Sequence, residues 1–108
     1  MNLITRMEEF DSLTDEPEAI IFKHSTSCPI SSSVHREVDR FLAECPHQSL
    51  HKVHVVEYRP VSDYIAEKTG VRHASPQVIV LRCGSVHWHA SHFDITLAAL
   101  TEALGFRL

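Results

Sequence analysis

The strongest constraint on this chain is the junction between an apolar run and a cysteine followed by proline. Ala19-Ile20-Ile21-Phe22 reads as a buried strand, Cys28-Pro29 follows it, and an amphipathic pattern begins at once. Ile30, Val34, Val38, Phe41 and Cys45 recur every three or four residues and form one apolar stripe, so a helix of about four turns is expected. Pro29 suits its first position, where a missing N–H costs nothing, and Pro46 ends it. The spacing therefore predicts Cys28 at a helix N-terminus, where the backbone N–H groups and the helix dipole favour an anion. The thiolate is the reactive form of cysteine. Cys28 is accordingly the candidate nucleophile, and a buried structural cysteine is the plainer reading.

The remaining elements follow from periodicity and breakers. Met7, Phe10 and Leu13 suggest a leading helix over residues 5–14. Leu50–Tyr58 alternates as a second strand, and Pro60 opens a short helix closed by Gly70. Ser75-Pro76 starts a third strand, Gly84 turns it into a fourth, and Asp94 is expected to cap a last helix. In the fourth strand Val86, Trp88 and Ala90 are expected on one face. The order is helix, then β-α-β-α-β-β-α. The first crossover implies a parallel pair and the Gly84 hairpin an antiparallel one. This is an α/β chain with a thioredoxin-like fold: a four-stranded mixed sheet, helices on both faces, and an extra N-terminal helix. The length of 108 residues fits a single domain, 1–108.

Ser31 stands three residues past Cys28, one turn on and on the same face, where a dithiol motif would carry its second cysteine. Its hydroxyl cannot resolve a mixed disulfide but is expected to hydrogen-bond the thiolate. Cys45 lies about 25 Å along the helix from Cys28 at 1.5 Å per residue, and Cys83 about 23 Å past Pro76 at 3.3 Å per residue. A disulfide needs Cα atoms within about 7 Å. Neither reaches Cys28, so exchange at one thiol is expected. His24, at the end of the first strand, is a further candidate catalytic residue as thiolate stabiliser or proton shuttle. In a fold of this kind Pro76 is expected in the cis form beside the nucleophile. Pro29, Ile30, Ser75, Pro76 and Gln77 are then the candidate substrate-binding residues.

Charge and composition exclude other classes. Ten basic and 14 acidic side chains give a formal net charge of -4, which argues against a nucleic-acid binder. No apolar run reaches the roughly 20 residues of a membrane helix, and Met1–Phe10 does not read as a signal peptide. An odd set of three cysteines without metal spacing favours free thiols and a cytoplasmic location. His87 and His89 are expected on one strand face as a possible ligand pair with His92 nearby, but nothing completes a zinc set, so no metal site is expected.

Several segments together resemble a family. They are Thr26-Ser27-Cys28-Pro29-Ile30-Ser31, Val61-Ser62 with Ile65-Ala66-Glu67 and Gly70-Val71, Ser75-Pro76-Gln77-Val78, and His89-Ala90-Ser91-His92-Phe93-Asp94-Ile95-Thr96. In order and spacing they are similar to the YtxJ-like monothiol bacilliredoxins from about residue 4 onward. That family usually has arginine or a similar residue where Ser27 stands and tryptophan where Phe93 stands. The resemblance implies a role in the bacillithiol redox system of Firmicutes. There the protein would remove bacillithiol from bacillithiolated client proteins, with bacillithiol as co-substrate and no bound cofactor. Two alternatives stand beside it: a glutaredoxin-like monothiol protein using another small thiol or an iron–sulfur cluster, and a non-enzymatic partner- or metal-binding module.

Overall fold

The computed structural model describes residues 1–105. The elements are β1 (Asn2–Leu3), α1 (Met7–Leu13), β2 (Glu18–His24), α2 (Pro29–Glu44), β3 (Leu50–His54), α3 (Arg59–Thr69), β4 (Gln77–Arg82), β5 (Ser85–Ser91), a 3-10 turn (His92–Asp94) and α4 (Leu97–Ala103). The sheet has five strands in the order β1-β3-β2-β4-β5, one more than expected. The extra strand, β1, runs parallel to β3 and pairs Asn2 with His51 and Leu3 with Lys52. Two residues are too few to show alternation, so only pairing reveals them. β2 is parallel to β3 and antiparallel to β4, and β4 is antiparallel to β5.

The central strand is buried on both faces, which explains its unbroken apolar run: Ala19, Ile20, Ile21 and Phe22 are all fully buried. Alternation splits them between two cores. Ala19 and Ile21 join Phe10, Leu13, Ile65 and Leu81 beneath α1 and α3. Ile20 and Phe22 join Val34, Val38, Phe41 and Leu100 beneath α2 and α4. Each large aliphatic or aromatic side chain among them contributes about 1.5–3 kcal/mol by leaving water. The next two residues continue the alternation, so Lys23 falls on the α1/α3 face and His24 on the α2 face.

α2 starts at Pro29 and buries Val34, Val38 and Phe41, as its stripe predicts. Ile30 departs from the stripe and is partly exposed beside Cys28. β5 departs from simple alternation. Leu81 pairs with Val86 and Val80 with Trp88, leaving His87 as the extra residue of a bulge. Val86 therefore lies on the opposite face from Trp88 and Ala90. His87 and His89 are likewise separated: His87 Nε2 bonds the Ala103 carbonyl of α4 at 2.9 Å, whereas His89 pairs with Ile79 of the α1/α3 core. α4 is capped by Thr96, not Asp94, since the Thr96 hydroxyl accepts the Ala99 N–H and Asp94 ends the 3-10 turn. No helix among the described residues is long and apolar enough to cross a membrane.

Candidate active site at the carboxyl end of β2

The pairing of Lys23 with Gln77, of His24 with His54 and of Gln77 with Ser91 puts four segments at one end of the sheet. These are the Ser25–Cys28 turn, the stretch after His54, the Ser75-Pro76 loop and the 3-10 turn. Ligands of open α/β sheets gather at the carboxyl ends of parallel strands, and Cys28 lies beyond that end of β2. Cys28 is the N-cap of α2, with φ -106° and ψ 122°, and is half-buried. Its carbonyl accepts the Ser32 N–H at 3.1 Å, the first bond of the helix. Pro29 occupies the first turn, where it withholds no donor.

Ser31 is fully buried, and its hydroxyl has two partners on the β2 side. The Ser25 N–H donates to Ser31 Oγ at 3.0 Å, and His24 Nδ1 lies 2.7 Å from the same oxygen. The His24 ring packs against Phe22, His35 and His54, with centroids 5.4, 4.8 and 6.0 Å away. Burial, reinforced by the nearby His35, Lys52 and His54 and opposed by Glu57, pushes its pKa down to about 4. At neutral pH the ring is uncharged, and its Nδ1 accepts the Ser31 hydroxyl proton when Nε2 carries the ring proton. Ser31 thus ties the Ser25–Cys28 turn to the end of β2. The Ser31 hydroxyl, expected on the Cys28 thiolate, is instead engaged by His24 and Ser25.

The Ser75–Pro76 peptide bond is cis. The Pro76 carbonyl accepts the His92 N–H at 2.9 Å, which fastens the loop to the 3-10 turn. Gln77 was expected to line a substrate groove. Its side chain is instead buried on the α1/α3 face with Lys23, and its amide donates to the Arg72 carbonyl at 2.9 Å. Ile30, Val56, Tyr58 and Phe93 expose large apolar surface on segments at this end of the molecule.

Lys23 was missed by sequence reading, because a lysine near a strand end resembles a solvated one. It is fully buried. Its Nζ donates to the Ser62 carbonyl at 3.0 Å and lies 3.3 Å from His73 Nδ1. Burial lowers its pKa to about 8, with Arg59 acting in the same direction and Asp63 against it. His73 is also shifted down, by burial first and then by Lys23 and Arg59. Through His73 and Gln77 this network holds the 71–76 loop that carries the cis proline. Cys45 follows the last turn of α2, and Cys83 sits in the β4–β5 turn at the opposite end of the sheet from Cys28. All three cysteines are free. Among the described residues no group of three or more His, Cys, Asp or Glu is arranged to hold a metal.

A sheet of this topology, with an N-cap cysteine and a cis proline at one end, defines a thioredoxin-fold protein of the thiol–disulfide oxidoreductase class. Over residues 2–100 the chain matches the family model described as monothiol bacilliredoxin BrxC, and it belongs to that family. A solved structure described as a provisionally assigned oxidoreductase with a thioredoxin fold shares 31% identity. The match has a TM-score of 0.90 and covers 95% of this chain and 92% of that one. Mitochondrial thioredoxin 3 from Saccharomyces cerevisiae (18% identity, TM-score 0.77, 97% and 93% covered) shows the fold alone. So does Fasciola hepatica thioredoxin (17%, 0.76, 97% and 97%).

Proposed function

We propose that this protein removes bacillithiol from mixed disulfides on client proteins, using Cys28 as its single exchanging thiol. The observation that carries the one-thiol reading is the placement of Ser31. It occupies the position of a second thiol, and its hydroxyl is engaged by His24 and Ser25. The distant placement of Cys45 and Cys83 supports the same reading.

The Cys28 thiolate attacks the bacillithiol sulfur of a client–S–S–bacillithiol bond. That bond breaks, the client leaves as a thiolate, and Cys28-S-S-bacillithiol forms. A second bacillithiol, or another thiol reductant, then attacks the adduct and restores Cys28 while a small-molecule disulfide departs. Pro29 and Ile30 flank the sulfur, and Ser75 and Pro76 offer the backbone against which a client chain aligns. Gln77, Ser31 and His24 act as positioning residues. The exposed Ile30 and Phe93 give clients an apolar contact. The cytoplasm, where thiols are kept reduced, is the compartment this chemistry suits.

The test mixes reduced protein with a bacillithiolated client and follows both by intact mass, beside Cys28→Ser. Transfer of one bacillithiol to the wild type and none to the variant is expected. Equal behaviour of the two would remove Cys28 from the mechanism.

A further inference from the structure

A groove of about 410 Å³ lies between α2 and the segment that follows β5. The exposed ring of Phe93 supplies most of its apolar surface over the buried Val34 and Ile95, and Ser33, Arg36, Glu37 and Arg40 form the α2 wall. The α2 wall of the groove continues the side of the helix on which Pro29, the neighbour of Cys28, stands. Ser33 is one turn past Pro29 on the same helix face, and Arg36 and Arg40 continue along that side. From Cys28 to Arg36 is about 12 Å along the helix axis. The Arg36 side chain leans back towards the helix N-terminus, which shortens this span for a small thiol whose sulfur is held at Cys28.

The charges in the groove are unevenly compensated. The Arg40 guanidinium lies 2.8 Å from Glu37, whose other oxygen accepts the Leu97 N–H of α4 at 3.4 Å. Arg36 is exposed and has no ion-pair partner among the described residues. Glu37 is the carboxylate among the walls and is taken up by Arg40 and the Leu97 N–H; Asp94, on the same turn as Phe93, is not among them. A chain of net charge -4 thus presents a spare guanidinium beside the exposed Phe93 ring, on the helix that Cys28 caps. Guanidinium binds carboxylate through paired hydrogen bonds that a lysine or an amide does not reproduce.

We propose that this groove is the subsite for the carboxylate-bearing end of the small thiol exchanged at Cys28, with Arg36 as a specificity-determining contact. The inference rests on the reading of Cys28 as the exchanging thiol. In the step concerned, the Cys28 thiolate attacks a disulfide R–S–S–R, the S–S bond breaks, Cys28–S–S–R forms, and R–S⁻ leaves.

The test measures the second-order rate of adduct formation, by intact mass, for wild type, Arg36→Gln and Arg36→Lys. The probes are bacillithiol disulfide, glutathione disulfide and cystamine, the last having no carboxylate. For Arg36→Gln we expect the two carboxylate-bearing probes to react about three- to tenfold more slowly, and cystamine no more slowly than with wild type. Arg36→Lys should recover part of the loss, and 0.5 M salt should erase the difference. Equal slowing with all three probes, or none with any, overturns the subsite. If wild type takes up bacillithiol and Arg36→Gln does so equally well, the subsite fails and the proposed function stands. If wild type takes up glutathione in an Arg36-dependent way but no bacillithiol, the subsite stands and bacillithiol is the wrong thiol. A wild type inert to every probe overturns both.

Discussion

Ser31 Oγ lies 2.7 Å from His24 Nδ1 and accepts the Ser25 N–H at 3.0 Å, so one buried hydroxyl joins the first turn of α2 to the end of β2. The position that a two-cysteine exchanger gives to its resolving sulfur is here given to a clamp on the turn that carries Cys28. Ser31→Ala would leave a buried amide and a buried ring nitrogen without their partner. We expect a loss of about 1–3 kcal/mol, read as a lower urea midpoint at unchanged m-value.

Acid should weaken the fold through His24. Its folded pKa of about 4 lies below the ordinary value of 6.5, so the unfolded chain takes up the proton first. The stability contribution is complete above pH 6.5 and is lost as pH falls towards 4. His51 and His73 are depressed too and act in the same direction. His24 is faced by His35 from α2, by His54 and Lys52 from β3, and by Glu57. Asparagine at this position keeps an acceptor near Nδ1 without titrating. Urea melts of His24→Asn between pH 4 and 6.5 should show a shallower decline than wild type; an identical slope would show that His24 does not carry the effect.

Lys23 predicts the opposite end of the pH scale. Its folded pKa of about 8 lies below the ordinary value of 10.5, so the folded state releases the proton first. Stability should therefore rise as pH climbs from 8 towards 10. Beyond that Tyr64 opposes it, because its pKa is raised, first by its hydrogen bond to Asp11, and its contribution falls as it ionises. Lys23→Met should abolish the rise in melts taken across this window.

The β4–β5 turn stores strain that a single substitution can relieve. Cys83 has φ 50° and Gly84 φ 79°, a pair of left-handed residues of the kind Asn-Gly satisfies best. Gly84 admits no side chain, because a Cβ there would come within 2.8 Å of the Thr14 carbonyl. Cys83→Asn should stabilise the protein by on the order of 1 kcal/mol, seen as a higher Tm. Gly84→Ala should destabilise it.

The sequence made much of this arrangement legible, and its omissions have physical causes. β2 and α2 announce themselves through a continuous apolar run and a 3.6-residue stripe, and the cis form of Pro76 is expected only from the fold that the order of elements implies. β1 is two residues long and carries no pattern, so it emerges only through its pairing with β3. The bulge at His87 shifts the register by one residue, which periodicity cannot show, and it separates His87 from His89. Thr96 and Asp94 are both good capping residues, and the 3-10 turn that takes up Asp94 decides between them. Lys23, His73 and Ser62 are far apart in the chain and meet only when α3 packs on the sheet.

Exchange at one cysteine leaves its intermediate with no internal route of escape, and that can be read directly. Reduced wild-type protein is treated with one equivalent of a small-molecule disulfide, freed of excess reagent, and examined by intact mass and peptide mapping. The account predicts a persistent adduct of one small thiol, located on Cys28, with Cys45 and Cys83 unmodified. An adduct on either of those residues, or its loss to an intramolecular disulfide, would contradict it.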